Sequence, residues 1–357
     1  MKKMKNKLKQ YKQNRQDKKL AKQEASDRMP RITNETVASH REEVLKGARK
    51  YIYPLQHSKH KVVIITTTLF VTSILAFTTY CVVALYKVES TSSFLYRVTQ
   101  VVPLPVARTG SRFISYENYL FELRHYIHYY ETQQKIGFTT ESGKQQLDDY
   151  KKRSLDKVIN DALIKQIASD KSINVTEQEL DAQIQVSRSQ NRLGGSTRVF
   201  EDVIKEYYGW SLGDFRRSLR SQMLEEKVNA SLDTEAKTKM DTVMSAIKSG
   251  GVFADLAKQY SDDEPSKAVG GDFGVIDKTN TAASAQTIET LFRLTVGDTA
   301  EPIIISYGTG YAYEIIKSIE VSGDKVKGSH IIISLKDINT FLNDKKDKQP
   351  TRRYISL

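Results

Sequence analysis

The sequence predicts an α+β protein in three parts: a single transmembrane helix, an all-helical domain, and a smaller α+β domain with a small antiparallel sheet. Three observations carry that reading. The stretch VVIITTTLFVTSILAFTTYCVVALY, residues 62–86, holds no charged residue. From about 115 to 230, apolar residues recur at spacings of three and four, the period of an amphipathic helix. After Gly270, glycines and β-branched runs such as EPIIIS and GSHIIIS take over, which are turn and strand signals.

The first 61 residues form a basic arm. They hold 18 of the 55 Lys and Arg but 6 of the 43 Asp and Glu, leaving 37 of each sign for the rest. The whole net charge of +12 therefore sits in the arm, and the folded part is balanced. No nucleic acid is expected for the external domains; the arm suits anionic lipid head groups, or ribosomal or other nucleic acid. At about 1.5 Å per residue the stretch 62–86 can cross a hydrocarbon core of about 30 Å. Lys59, Lys61 and the arm set the N-terminus in the cytoplasm by the positive-inside bias, so the protein reads as single-pass in the cell membrane with extracytoplasmic C-terminal domains. The single cysteine, Cys81, lies within the apolar stretch, so the outer part has no disulfide, zinc cluster or cysteine nucleophile. That absence favours a bacterial envelope protein.

Residues 87–111, with Pro103, Pro105 and Gly110, read as a linker. The helical domain spans 112–231. Its first helix carries a stripe from Tyr116 through Leu120 to Tyr130, its second, near 144–170, a stripe from Leu147 to Ile167. Thr176 with Glu179 and Ser211 with Asp214 make two capping boxes, and Asn191 to Gly195 breaks the pattern between them. His125 and His128, three apart, read as surface or packing residues rather than a metal pair. The α+β domain follows at 232–336, and 337–357 reads as a polar C-terminal tail.

Within that last domain lies SDDEPSKAVGGDFG, residues 261–274. A calcium loop needs acids at alternating positions closed by a distant Glu, a spacing this stretch lacks. Gly270 and Gly271 instead allow a backbone turn that side chains would block, and Asp272 can fix it by bonding to nearby amides.

The longer segment FADLAKQYSDDEPSKAVGGDFG, 253–274, resembles the signature of parvulin-type peptidyl-prolyl isomerases. LFRLTVGDTAEPI at 291–303 and YAYEIIKSIE at 311–320 are similar to that family's later segments. The preceding helices, with DALIKQIASDKSINVTEQELDAQI and GWSLGDFRRSLRSQMLEEKV, resemble the N-terminal chaperone domain of the SurA and PrsA-like foldases. The resemblance implies a foldase that binds unfolded or proline-containing clients and isomerises X–Pro bonds without metal, nucleophile or cofactor. It implies His330, Asp263 and Glu314 as the groups bearing on the rotating bond, with Ile288, Phe292 and Phe273 against the substrate.

Three departures stand out. The family's first strand, His-Ile-Leu-Val, is missing before the first helix, where EKVNASLDTEAK stands. SHIIIS at 329–334 appears after the last strand instead. Either the domain is circularly permuted or residues 326–357 begin a truncated second unit. The last strand's histidine is absent, its register falling on Glu314 or Ala312. The Met and Phe that line the family's proline pocket align near Ala283 and Thr287. Two readings follow: an active isomerase, or a parvulin-fold chaperone or scaffold that only binds peptides.

Overall fold

A computed structural model of the protein describes residues 2–27, 32–52, 55–190, 196–280 and 283–357; the break read at 191–195 lies outside them. They fall into two units, 1–80 and 81–357. In the first, α1 (Lys2–Asp27) and α2 (Asn34–Ile52) carry the basic arm, and α3 (Leu55–Tyr86) begins the apolar segment. On α2, Val37, Val44 and Leu45 share one exposed face. Residues 60–86 make the one helix among the described residues long and apolar enough to cross a membrane. Its threonines do not spoil that. The hydroxyls of Thr66, Thr72, Thr78 and Thr79 donate to carbonyls four residues back at 2.8–2.9 Å, so these four do not need the bilayer to solvate them.

The second unit begins inside the same helix. Cys81, Ala84 and Leu85 are buried in the core of the helical domain, and the Tyr116 hydroxyl donates to the Leu85 carbonyl at 2.6 Å. The end of the 62–86 run is thus protein core, which corrects its reading as membrane helix throughout. The residues before Cys81 still measure about 28 Å.

The expected linker is also folded. It contains α4 (Ser93–Val101), capped by Ser92, and β1 (Pro105–Thr109). Its prolines misled: Pro105 opens its strand, where a missing N–H is tolerated. Strand β1 pairs with β2 (Arg112–Ser115) and, from the far end of the chain, with β7 (Thr351–Arg353), giving a three-stranded antiparallel sheet. The polar tail is therefore no tail. Its α14 (Ile338–Lys348) sends Ile338 and Leu342, one helical turn apart, into the same core as Ile355. Lysines and aspartates around them hid the stripe.

Five helices make up the rest of this domain: α5 (Tyr116–Thr132), α6 (Glu141–Asp170), α7 (Glu177–Gln190), α8 (Thr197–Tyr208) and α9 (Leu212–Leu232). Tyr116, Leu120 and Leu123 of α5 bury fully against Leu155, Val158 and Leu163 of α6, as their spacing dictates. Both capping boxes form: Thr176 and Glu179 exchange bonds at 2.8 and 3.2 Å, and Ser211 and Asp214 at 3.0 and 3.2 Å. His125 stacks on Trp210 at 4.3 Å and His128 meets the Glu206 carbonyl at 2.9 Å, so both hold the turn between α8 and α9.

The α+β domain runs α10 (Thr234–Lys248), α11 (Phe253–Tyr260), α12 (Glu264–Lys267), β3 (Asp272–Asp277), α13 (Ala285–Arg293), β4 (Ile303–Tyr307), β5 (Gly310–Ser322) and β6 (Lys325–Ser334). Its antiparallel sheet has the order β3-β6-β5-β4. β5 and β6 form a hairpin turning at Gly323, whose φ of 59° suits glycine. β6, last in sequence, lies inside the sheet and fills the place of the absent first strand, as a permuted domain requires. Ile331 and Ile333 face the core under α10 and α11, while Ile332 buries on the other face. That double burial explains a strand without alternation.

Candidate active site

His330 stands on β6 with hydrogen-bonded neighbours on both sides. Its amide donates to the Gly271 carbonyl at 2.8 Å, and Ile316 of β5 lies opposite. Glu314, two residues along β5, is thus a diagonal neighbour on the same face, within side-chain reach. Its Oε1 is 2.7 Å from His330 Nδ1, while Oε2 accepts from the Thr287 hydroxyl of α13 at 2.5 Å. Ser284 Oγ continues the chain, 2.6 Å from Thr287 Oγ1.

On the other side of the imidazole is the loop 261–266. Ser261 Oγ accepts from the Ile332 amide at 3.1 Å and Asp262 from the Ser334 amide at 2.9 Å, so the loop is laced to the backbone of β6. Asp263 then turns inward. One of its oxygens caps α12, accepting from the Ser266 amide at 3.0 Å, and lies 3.4 Å from His330 Nε2. The other accepts from the Tyr307 hydroxyl at 3.0 Å. Ser266 Oγ stands 2.9 Å from the same Nε2. Burial works to raise the Asp263 carboxyl. The bonds from Ser266 and Tyr307 and the nearby imidazole outweigh it and hold the group below the ordinary carboxylate value.

The glycine pair sets this geometry. Gly271 has φ 87°, and a Cβ there would stand 2.5 Å from the His330 carbonyl oxygen; at Gly270 one would meet the Ala254 Cβ at 2.8 Å. Only glycine lets the turn approach β6 so closely. Asp272 accepts from the Gly274 amide at 2.8 Å and pairs with Lys327 at 3.0 Å, fixing the turn.

The structure therefore brings His330, Asp263 and Glu314 together, but not in equal roles. The His330 and Asp263 side chains keep 14% and 18% of their surface exposed, whereas Glu314 keeps 2%. Glu314 cannot touch a substrate; it holds the imidazole from behind, which corrects its expected place at the rotating bond. Phe273 does lie beside the site, its ring 4.6 Å from the imidazole. Ile288 is buried with Leu291 and Ile316 beneath the sheet, so it offers no surface to a peptide, against expectation. Phe292 packs half-buried on that cluster, under the Lys278 ammonium at 5.4 Å. Sequence reasoning missed Ser266, Tyr307 and the role of Thr287. The spacing Asp263-x-x-Ser266 carries a cap signal that would have located the first; nothing local marks Tyr307.

A partly buried carboxylate and imidazole are thus fixed side by side, with the buried Ser266 hydroxyl on the imidazole Nε2. Such a pair can act by hydrogen bonding and charge on a group whose electron distribution changes, as when an amide twists.

Comparison with known proteins agrees. A SurA-like N-terminal domain matches residues 55–229 and a PPIC-type PPIASE domain residues 223–320. The second match ends before β6, so His330 comes from beyond it. The foldase protein PrsA of Caldanaerobacter subterraneus subsp. tengcongensis is 28% identical over 237 residues, 60% of this chain and 70% of that protein. The foldase protein PrsA 1 of Lactiplantibacillus plantarum is 31% identical over 119 residues, 32% of this chain and 38% of that protein. The crystal structure of foldase protein PrsA from Streptococcus pneumoniae aligns at 17% identity over 55% of this chain and 76% of that one, with a TM-score of 0.18, too low to compare the folds. The chain joins a SurA-like N-terminal domain to a PPIC-type PPIASE domain, the domain type of parvulin peptidyl-prolyl isomerases.

Proposed function

We propose that this protein is a membrane-anchored foldase that holds unfolded polypeptide and isomerises its X–Pro bonds at the Asp263–His330 pair. The observation that carries the reading is the delivery of His330, by a strand from the far end of the domain, to within 3.4 Å of Asp263. Rotation about an X–Pro bond faces about 18–20 kcal/mol and takes tens of seconds unaided. In the twisted state the carbonyl oxygen and the ring nitrogen no longer share electrons, so the nitrogen regains its lone pair and becomes a better acceptor while the oxygen becomes a weaker one. A donor of the site, the imidazole Nε2 exchanging its Ser266 partner for the substrate, then bonds the nitrogen of the twisted amide more strongly than that of the planar one, which is what lowers a barrier. Glu314 and Thr287 keep the ring in place. Phe273 offers the apolar wall for the proline.

The apolar helix up to Tyr80 anchors the protein, with the arm cytoplasmic and both folded domains outside. The arm contacts anionic lipid: its lysines supply charge, and the exposed Val37, Val44 and Leu45 face of α2 suits the bilayer interface. The external domains, electrically balanced, take no nucleic acid. A second reading, peptide binding alone, is favoured by one observation. Thr287, at a pocket position, is buried and committed to Glu314 rather than to a proline ring. A protease-coupled proline-isomerisation assay separates the two. Acceleration that disappears in Asp263→Asn supports the enzyme; client protection from aggregation without acceleration supports the binder. External protease on intact cells should remove the outer domains and spare the arm, and the opposite pattern would reverse the topology.

A further inference from the structure

Beside the parvulin site, and on the same side of α13, the helical domain and the sheet enclose a cleft of about 780 Å³. Its wall is one face of α9, where Phe215, Leu219, Gln222 and Glu226 follow at spacings of four, three and four. Tyr207 and Tyr208 of α8 continue the surface, 45% and 37% exposed, over the buried Ile204. Across from them stand Ser306 of β4 and Ser284, the last hydroxyl of the chain that leads through Thr287 and Glu314 to His330. Of the 15 residues lining the cleft, Glu226 alone carries a charge.

Glu226 is poorly served. It accepts one hydrogen bond, from Gln222 at 3.1 Å, and among the described residues no cation pairs with it. Burial first, then the neighbouring Glu225, pushes its carboxyl up to about 7, the Gln222 bond offsetting them only in part. Tyr311 of β5 faces the same pair of carboxyls, its hydroxyl pushed up by burial and then by Glu225 and Glu226, while Glu225 itself lies among Lys157, Asp161 and Tyr311.

We infer that this cleft binds an extended polypeptide segment carrying one basic side chain among apolar ones, with the cation meeting Glu226. The inference rests on the foldase reading above and deepens it by naming a client chemistry. Charge complementarity selects the occupant. A half-desolvated carboxylate with spare acceptor capacity is completed by an ammonium or guanidinium; the aromatic residues of the wall take flanking apolar side chains and its Ser and Gln groups the backbone of an extended segment. A purely apolar segment leaves the carboxylate unpaired. An acidic one repels it. The binding needs no proline, so it is separate from the chemistry at His330, although Ser284 puts the two within one hydrogen-bonded chain.

The test uses the full chain in lipid nanodiscs and two short, unstructured, dye-labelled peptides without proline. Both contain Leu and Phe; one has a single Arg, the other citrulline in its place. Fluorescence anisotropy at about pH 8 should show the Arg peptide binding about tenfold tighter. That gap should close to about twofold or less at about pH 5.5, where Glu226 is protonated, and in Glu226→Gln at either pH. Tyr207→Ala should weaken both peptides alike. Equal binding of the two peptides, or a gap that survives Glu226→Gln, overturns the proposal; so does loss of both peptides together in Glu226→Gln. Isomerisation of a proline tetrapeptide, measured in parallel, should not change in Glu226→Gln. An intact peptide gap with no isomerisation by the wild-type protein would overturn the isomerase reading and leave the cleft standing.

Discussion

The parvulin site and the cleft beside it treat their polar atoms in opposite ways. Around His330, four side chains meet in contacts of 2.5 to 2.9 Å that run from Ser266 to Thr287, with Asp263 flanking at 3.4 Å. Both ring nitrogens are engaged. In the cleft, Glu226 accepts a single hydrogen bond, from the Gln222 amide, in a wall that mixes aromatic and aliphatic residues with Ser and Gln. The first arrangement fixes a geometry before any substrate arrives, which is what stabilising a short-lived twisted amide demands. The second leaves capacity unused until a ligand supplies it. A site for chemistry and a site for varied segments thus differ less in residue types than in how far their hydrogen-bonding capacity is already spent.

The severest way to break this comparison is to remove residues 326–357. The deletion takes β6 from the middle of the sheet and orphans the backbone groups of β3 and β5 that pair with it. It also removes Ile338, Leu342 and Ile355 from the helical core. Both domains should lose cooperative melting in circular dichroism. A truncated protein whose sheet domain still melts cooperatively would mean that β6 is dispensable.

Substitution within the site comes next. His330→Ala and Asp263→Asn should each lower kcat/KM for a proline tetrapeptide by about a hundredfold or more, with little effect on cleft binding. The acid limb of the wild-type profile should fall below about pH 4, since Asp263 titrates below its ordinary value. The sign for stability agrees. A depressed carboxylate stabilises the fold at higher pH, and that contribution is lost only as pH falls through the folded value. Gly271→Ala should act on both fold and rate, costing about 2–4 kcal/mol, because its Cβ has backbone 2.5 Å away and φ is 87°. Urea melts would measure it.

How much of this was legible is instructive in the same terms. The period of the helices, the capping boxes and the glycine turn depend on neighbours in sequence, and each could be read directly. The inner place of β6 was legible too, because a strand such as SHIIIS lacks the alternation of one with a solvent-facing side. What stayed hidden was long-range. Nothing in PVART announces that its partner is 351–353, at the other end of the chain. The burial of Ile288 and Glu314 depends on where α13 lands on the sheet. Thr287 looked like a pocket residue gone polar. Its partner Glu314 lies 27 residues on, and the burial of neither makes sense without the other.

That pairing can be broken alone. Thr287→Val keeps the shape but strips Glu314 Oε2 of its donor, at a cost of about 1–3 kcal/mol for a buried carboxylate left short of a bond. Activity should drop about tenfold and its pH profile should move, while Thr287→Ser restores both. A stability loss without any movement of the profile would make Thr287 a packing residue.

The smallest effect sharpens the comparison from the cleft's side. A carboxyl at about 7 in the folded protein and about 4.3 when unfolded makes the folded state hold the extra proton between those values. Stability from Glu226 is therefore fully present below about pH 4 and is lost as pH rises through 7, the reverse of Asp263. Solvent reaching the open cleft screens the effect, which leaves about 1 kcal/mol of the difference between about pH 5 and pH 8. Glu226→Gln, whose amide is neutral throughout, should erase that slope and be slightly more stable than wild type near pH 8. Paired denaturant melts at the two pH values would measure it. A wild-type protein equally stable at both, or a slope kept by the variant, would mean that Glu226 is already satisfied, and the contrast between a spent site and an unspent one would fail.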